Sequence, residues 1–525
     1  MTASLYDRVA AAVDPERLAV VSPDGQVTYR QLLAGAERLA THLAAIDAPI
    51  LVYGHKQPAM IVAFLAALRL GQPYVPVDIS APVARIARML DLARPGGVVA
   101  AQELPAELAS ELTRRGIPMV ALDPRGDRGP VTPRSRSEHV MGGAGQSAEP
   151  LAYIMFTSGT TGDPKGVPIP VAALEHFADW LLSLASFRRA GEVWLNQAPF
   201  NFDLSVMDLY GALLTGGTLF CITRDEIGDP RALFARLTGA PLTVWVSTPS
   251  FARYCLAEPR FRAALLPHLR CFLFCGETLP PAIASELLER FPAAIVWNTY
   301  GPTETTVAVT GVLIDAERAT AGGPLPVGWP ARGMTVWIAD PGDPTRSLPP
   351  GTTGEIVIAG PQVSTGYLMA PSAQRVPDPA SPFFRLADGR RAYRTGDLGH
   401  LDGADGLLYC AGRVDRQTKL HGYRLELEEI ESLLRELPGV GDAAVLVAER
   451  DGRPDHLVAF LVRSGSAEAV PFPDDSFELA QYVRGFLAEH LPVYALPRAV
   501  RWLATPPLTA NGKLDRHALR GLLIR

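Results

Sequence analysis

One stretch of the sequence places hydroxyl groups, glycines and a lysine directly after an apolar run. It reads YIMFTSGTTGDPKGVPIP, from Tyr153 to Pro170. Gly159 and Gly162 allow the backbone to approach a ligand closely, and consecutive N–H groups in such a loop form an anion-binding concavity. The side chains add hydroxyl donors and one cation, which together suit a polyphosphate: Thr157, Ser158, Thr160, Thr161 and Lys165. The spacing differs from that of a Walker A loop.

A flexible Gly/Ser/Thr linker is the alternative explanation of this stretch. The apolar YIMF before it and VPIP after it favour a loop held between two strands. Other strand-like runs, such as APILVYG, TVWVST, RCFLFCG and AAIVWNTYG, alternate with helix-like segments such as PPAIASELLERF. This alternation predicts an α/β fold of layered sheets and helices.

The chain is long enough for more than one domain. It has 525 residues, of which 48% are hydrophobic and 20% charged, the balance of a globular protein. The texture changes near Asp415, where a polar turn leads into a charged amphipathic helix. We therefore predict a large domain over residues 1–414 and a small, mobile α/β domain over 415–525.

Bulk properties exclude several classes of protein. The net charge of −6 disfavours nucleic-acid binding. No apolar run reaches the roughly 18–20 residues that span a bilayer, and the N-terminus lacks a signal peptide, so we expect a cytoplasmic protein without membrane insertion. Five cysteines without a CxxC pair predict reduced, mostly buried thiols.

Seven further segments, taken with FTSGTTGDPKGV, resemble the adenylate-forming superfamily in the family's order. They are VTYRQL, LGQPYVPVD, NTYGPTETT, GEIVIAG, YRTGDLG, GRVDRQTKLHGYRLELEEIE and PLTANGKLDR. The resemblance covers nearly the whole chain. One departure is Val171, which stands where the family often has a histidine.

The resemblance implies that a carboxylate attacks the α-phosphorus of ATP, and that a thiol then attacks the resulting acyl-adenylate. The resemblance implies that Glu304 holds Mg²⁺, for which carboxylate oxygen is a suitable ligand. Glu304 could instead cap a helix. Asp397 would accept hydrogen bonds from both ribose hydroxyls, and Arg413 would reach ribose or phosphate, although each could be an ordinary loop ion pair. The implied wall of the nucleotide site comprises Asn298, Thr299, Tyr300, Gly301, Pro302 and Thr303.

Lys513 is the implied catalytic lysine, bridging the substrate carboxylate and the α-phosphate. A cation there would offset charge that builds at the reacting phosphorus. Outside this context it would be a solvated surface charge. The family also implies a hinge at Asp415, which lets the small domain swing away before the thiol attacks.

Asp203, within FNFDLSVMDLY, is the candidate partner of a substrate α-ammonium, because a buried carboxylate must be paired. It could also be the N-cap of a helix, and both roles could hold at once. The segments resemble most closely the D-alanine–carrier protein ligases, in which Cys275 and Val307 would border the substrate methyl. Cys275 could equally be a simple core residue. The implied substrate is alanine of either hand, bound by Asp203, Cys275, Gly301, Val307 and Lys513.

The sequence contains no phosphopantetheine attachment segment, so we expect a carrier protein supplied in trans. The setting could be alanylation of cell-wall polymers or antibiotic biosynthesis, as in stand-alone ligases of macrolactam assembly, where an aminoacyl group on the carrier could be the acceptor. An acyl-CoA synthetase for a small carboxylic acid is the alternative enzyme, and a degenerate nucleotide-binding regulator is the non-enzymatic alternative.

Overall fold

The computed structural model describes residues 4–123, 125–126, 128–131, 149–158, 164–185, 187, 191–368, 381–414, 417–450, 453–464, 476–503, 506–507 and 514–523. The chain folds into two compact units. The first comprises residues 1–79, 90–155 and 166–414, and the second comprises 80–89, 156–165 and 415–525. No helix within these described ranges is both long and apolar enough to cross a membrane.

Two largely parallel sheets and their helices form most of the first unit. One sheet has the order β16-β15-β14-β13-β12-β10-β11-β1-β2 and the other β7-β6-β5-β3-β4-β8-β9. The strands of these two sheets are β1 Leu18–Ser22, β2 Gly25–Thr28, β3 Ile50–Gly54, β4 Tyr74–Asp78, β5 Gly97–Ala100, β6 Met119–Leu122, β7 Arg128–Val131, β8 Leu151–Thr157, β9 Lys165–Pro170, β10 Val193–Asn196, β11 Thr218–Cys221, β12 Val244–Ser247, β13 Cys271–Phe274, β14 Ile295–Tyr300, β15 Thr310–Ile314 and β16 Trp329–Pro330.

The central strands of these sheets are buried on both faces. Every residue of β3, β12 and β13 is buried. Parallel strands covered by helices have continuous apolar runs for this reason. The helices of the first unit are α1 Leu5–Ala12, α2 Tyr29–Leu43, α3 Pro58–Arg69, α5 Ala106–Arg114, α6 Val171–Leu184, α7 Leu204–Leu214, α8 Arg224–Gly228, α9 Pro230–Leu237, α10 Pro249–Leu256, α11 Pro281–Arg290 and α12 Ala316–Thr320, while α4 Val83–Ala93 has residues in both units.

An antiparallel sheet completes the first unit, with the order β18-β17-β19-β21-β20 and β22 paired to β21. Its strands are β17 Thr335–Asp340, β18 Asp343–Ser347, β19 Gly354–Ala359, β20 Phe383–Arg385, β21 Arg391–Leu401 and β22 Leu408–Arg413. A short 3₁₀ turn, Thr303–Thr305, lies between β14 and β15. The layered α/β fold that the sequence predicts is confirmed.

The second unit contains two further sheets, β23-β24 and β25-β26-β27. Its strands and helices within the C-terminal part are β23 Gln417–Leu420, β24 Tyr423–Glu426, α13 Leu427–Glu436, β25 Val440–Arg450, β26 Arg453–Arg463, α14 Ser476–Ala488, β27 Ala499–Trp502 and α15 Arg516–Arg520. The stretch we predicted as a polar turn therefore contains a hairpin. His421 (φ 51°) and Gly422 (φ 87°) form its two-residue loop. Positive φ at both positions is what a tight type I′ hairpin turn requires.

Candidate active site

Asn298 and Thr299 lie at the C-terminal end of β14, and both side chains are buried. The Asn298 side-chain amide donates to the carbonyl of Pro326 at 2.7 Å, and the Thr299 hydroxyl donates to the carbonyl of Phe274 at 2.8 Å. These bonds fix the two side chains against neighbouring chain segments. The predicted nucleotide wall is therefore rigid at this point, because its polar groups are anchored to the backbone of adjacent elements.

Tyr300, at the end of β14, contacts the carboxylate of Asp397 on β21. The tyrosine hydroxyl donates to Asp397 Oδ2 at 2.7 Å, while Arg413 donates to Oδ1 at 2.5 Å. Burial, with the charge of Asp397 adding to it, raises the pKa of Tyr300 well above its usual value, so it remains a neutral donor. The structure thus unites three predicted nucleotide residues that are distant in sequence.

The turn after β14 has an unusual backbone. Thr306 (φ 61°) and Val307 (φ 67°) both adopt the left-handed conformation. A β-branched residue rarely does so, and such strain is concentrated at functional sites. A Cβ added to Gly301 would lie 2.6 Å from the Cα of Ala308, so only glycine fits where this turn packs on β14. Pro302 and Thr303 connect Gly301 to the strained pair.

Glu304 lies in the 3₁₀ turn and is fully buried. The Tyr367 hydroxyl donates to its Oε1 at 2.7 Å, and the backbone N–H of Ser364 donates to its carbonyl at 2.9 Å. It is the second residue of this turn, whose N-cap position is occupied by Pro302. The structure therefore presents a buried carboxylate, not the helix-capping acid of the alternative reading.

Asp203 occupies the N-cap position of α7 and is half-buried. Its side chain makes no cap hydrogen bond, so capping does not account for this carboxylate. The hydroxyl of Tyr153 on β8 is buried and has no hydrogen-bond partner among the described residues. Burial first, and then the charge of Asp203, raises the pKa of Tyr153 well above its usual value. Asp203, the predicted binding residue for the substrate amine, therefore lies near the buried, unsatisfied hydroxyl of Tyr153.

Cys275 directly follows β13, and its thiol donates to the carbonyl of Val307 at 3.7 Å. Both side chains are buried, and both belong to one packed cluster that also contains Tyr153, Phe200 and Leu204. The cluster therefore joins the predicted methyl-binding residues to the segments on either side of Asp203. Four of the five cysteines are buried, as the sequence predicts, and the fifth, Cys410, is partly exposed.

The flanks of the hydroxyl-rich loop belong to the second unit. Thr157 ends β8 and Lys165 begins β9, so strands bracket the loop as predicted. Within this unit the Ser158 hydroxyl donates to the carbonyl of Arg424 at 3.2 Å. The Thr157 hydroxyl is buried without a hydrogen-bond partner among the described residues. Predicted residues Gly159, Thr160, Thr161, Gly162, Asp415 and Lys513 lie outside the described residues.

Sequence reasoning missed the residues that support these groups. Tyr367 is the donor to Glu304, and Tyr153 is the unsatisfied hydroxyl near Asp203. Lys56 is a fully buried lysine, and its hydrogen-bond acceptors belong to the segment that precedes Asp203. Only Lys56 carries a visible signal, since a lysine between a buried strand and an apolar helix is unusual.

Two models of protein families match the chain that carries this fold and this site. The model of the AMP-binding enzyme family matches residues 7–368, and that of the AMP-binding enzyme C-terminal domain matches residues 429–513. The chain therefore belongs to the AMP-binding enzyme family, the adenylate-forming superfamily that its motifs resemble.

Individual relatives narrow the comparison. The chain is 42% identical over 528 residues to the D-alanine–D-alanyl carrier protein ligase of Bacillus velezensis, covering 98% of each chain. A solved NRPS protein containing adenylation and PCP domains is 29% identical, with a TM-score of 0.77 over 98% of this chain and 84% of that one. The adenylation domain AlmE of Vibrio cholerae, solved with glycyl-adenosine-5'-phosphate, shares the fold at 24% identity, with a TM-score of 0.80 over 100% and 98% of the two chains.

Proposed function

We propose that this enzyme uses ATP to activate D-alanine as D-alanyl-AMP and then transfers the alanyl group to the phosphopantetheine thiol of a carrier protein supplied in trans. The main structural support is that Asp203, a half-buried carboxylate at the start of α7, does not cap the helix. A ligand ammonium is a natural partner for such a carboxylate. The near full-length similarity to D-alanine–D-alanyl carrier protein ligases supports the choice of amino acid.

Asp203 binds the α-ammonium in this proposal, and a small apolar pocket receives the methyl group. Cys275, Val307 and Gly301 border that pocket. The Cys275 thiol bonded to the Val307 carbonyl, together with the left-handed turn at Val307, closes the space to larger side chains. A pocket fixed by backbone strain and a thiol discriminates by size, at about 1–3 kcal/mol for each extra methylene.

The nucleotide is bound by the remaining groups. The hydroxyls of the Thr157–Lys165 loop and the Lys165 ammonium bind the phosphates, Asn298 to Thr303 flank the adenine, and Asp397 with Arg413 binds the ribose. Asp397 is already oriented by two donors, so it accepts ribose hydroxyls without first having to be ordered. Preorganised acceptors of this kind reduce the entropy lost on binding.

Glu304 fits a magnesium ion. It is a fully buried carboxylate oriented by the Tyr367 hydroxyl, and Mg²⁺ prefers carboxylate oxygen together with water and phosphate. The bound ion supplies positive charge against the phosphates of ATP. The protein's part is to hold the Glu304 carboxylate in one orientation.

Lys513 acts as the catalytic cation between the substrate carboxylate and the α-phosphate. The domain boundary falls at 414/415, and Asp415 is the hinge about which the small domain moves between the two half-reactions. A moving domain lets one site carry out two steps that need the same face of the carboxyl carbon.

Basic residues in the C-terminal part of the chain could attract an acidic carrier, and Arg498, Arg501 and Arg516 are among them. Arg516 pairs with the buried Glu431 at 2.5 Å, and Arg501 donates to the carbonyl of Leu522 at 2.6 Å. Both cations therefore have structural partners within the second unit. Arg498 also has a carboxylate nearby, that of Asp455 at 3.9 Å, but its side chain is 73% exposed and therefore accessible to a carrier.

Amino-acid-dependent ATP–pyrophosphate exchange tests the proposal. We expect exchange with D-alanine, less with L-alanine, glycine and serine, and none with acetate, which an acyl-CoA synthetase would accept. Lys513→Ala should abolish exchange. Absence of exchange with any amino acid, or better exchange with acetate than with D-alanine, would refute the assignment.

A further inference from the structure

Lys56 carries a buried ammonium group that none of the predicted roles uses. It lies between β3 and α3, and its side chain is 1% exposed. Isolated buried cations are unfavourable, so such a group must be surrounded by acceptors. Burial lowers the pKa of Lys56 to about 8, against the opposing effects of Cys221, Asp208 and Asp78.

All the hydrogen-bond acceptors described for this ammonium belong to three consecutive residues. Lys56 Nζ contacts the side-chain oxygen of Asn196 and the carbonyl of Ala198, and it lies 3.4 Å from the carbonyls of Asn196 and Gln197. These residues are the end of β10 and the two positions after it. One cation therefore gathers the oxygens of the segment 196–198.

Asn196 extends the same arrangement to helix α7. Its side-chain amide donates to Asp208 Oδ1 at 2.7 Å and to the carbonyl of Ala198 at 3.2 Å. Asp208 is fully buried on α7, and burial raises the pKa of its carboxyl well above the usual value. Lys56, Asn196 and Asp208 thus connect the loop after β3, the end of β10 and the helix that Asp203 begins.

The segment 196–198 leads directly to Asp203. The ammonium of Lys56 lies 5.2 Å from the ring centre of Phe200, within cation–π distance. The carbonyl of Pro199 accepts from the N–H of Phe202 at 2.9 Å, and the carbonyl of Phe202 accepts from Ser205. A continuous series of bonds therefore runs from the ammonium to the first turn of α7.

We propose that Lys56 is a positioning residue for recognition of the substrate amine: its ammonium fixes the segment 196–198 and thereby sets the place of Asp203. This inference rests on the proposed role of Asp203. Lysine offers three donors, so a methionine of similar shape would preserve the packing and lose the bonds that gather the carbonyls. The position of Asp203 would then be less well defined.

Pyrophosphate exchange by Lys56→Met tests this. We expect the KM for D-alanine to rise about tenfold, as a small misplacement of a binding group does, with the KM for ATP changed less than about twofold. The double variant Lys56→Met/Asp208→Asn is the matched control. In the single variant the Asp208 carboxyl loses the nearby Lys56 ammonium, and the double variant removes that carboxyl as well. It should retain the raised KM for D-alanine.

Three outcomes would overturn the inference while leaving the proposed function intact. They are an unchanged KM for D-alanine in Lys56→Met, an equal rise of both KM values, and a return to the wild-type KM in the double variant. The second would indicate a general structural defect, and the third would assign the raised KM to the Asp208 carboxyl instead of the lost Lys56 bonds. Wild-type enzyme that activates no amino acid would overturn the proposed function, and this inference with it.

Discussion

Arg413 and Asp397 face each other across β21 and β22, and the guanidinium donates to Asp397 Oδ1 at 2.5 Å. Tyr300, the last residue of strand β14 in another sheet, donates to the second oxygen of the same carboxylate at 2.7 Å. An ionised carboxylate has about four lone-pair sites, so these two donors orient it without exhausting it. The remaining sites can accept ribose hydroxyls.

Tyr300→Phe should weaken ATP binding selectively. The substitution keeps the ring and removes the donor to Asp397, so the carboxylate loses one of the two bonds that orient it. We expect the KM for ATP to rise by roughly three- to tenfold, the effect of about 1 kcal/mol from a lost hydrogen bond. Exchange kinetics at varied ATP measure this. A rise in the KM for D-alanine of the same size would contradict a role confined to the nucleotide.

Asp203→Ala should impair substrate binding without the loss of stability that removal of a helix cap causes. Its side chain makes no cap hydrogen bond, so removing it should not incur the loss of about 1 kcal/mol that removal of a true cap causes. The KM for D-alanine should rise by about a hundredfold, because removal of an ammonium partner costs roughly 3 kcal/mol. Urea unfolding and exchange kinetics measure the two effects.

Asp315→Ala provides the matched control for Asp203→Ala. Asp315 also occupies an N-cap position, and its side chain does accept a cap hydrogen bond, from the N–H of Arg318 at 2.8 Å. It should show the opposite result, a loss of stability with unchanged kinetics. If the two variants behaved alike, Asp203 would be a helix cap and not an amine ligand.

Cys275→Ala should relax the selectivity for small side chains. The thiol lies against the Val307 carbonyl, and its removal leaves room near the predicted methyl pocket. The kcat/KM ratio of D-alanine to D-2-aminobutyrate should fall by about tenfold, the effect of one methylene. Cys255→Ala is the control, since Cys255 is equally buried but packs in a different cluster. It should lower stability and leave this ratio unchanged; an equal change in both variants would refute the pocket assignment.

Local patterns in the sequence predicted the elements and the polar groups that end them. The apolar runs contain β12, β13 and β14, the segment predicted as helix-like contains α11, and strands flank the loop between β8 and β9 as expected. The hairpin β23-β24 was not predicted, because its polar strands resemble a turn. Lys56 was missed for another reason: its acceptors lie about 140 residues away, and no local pattern specifies which distant carbonyls a buried cation will meet.

Lys56 should also give the enzyme's stability a characteristic pH dependence. Burial lowers its pKa from 10.5 to about 8, so between these pH values the unfolded chain binds more protons than the folded one. The buried ammonium of Lys56 therefore lowers the free energy of unfolding, and the whole of this destabilisation is present below pH 8. It disappears as the pH rises towards 10.5. The penalty is on the order of 3 kcal/mol. Urea unfolding of wild type and Lys56→Met measures this effect. From neutral pH to about pH 10.5, the free energy of unfolding of the variant should fall by about that amount relative to wild type. Between about pH 6 and 7 the difference between the two proteins should not change. A constant difference across the whole range would mean that burial does not lower the pKa of Lys56.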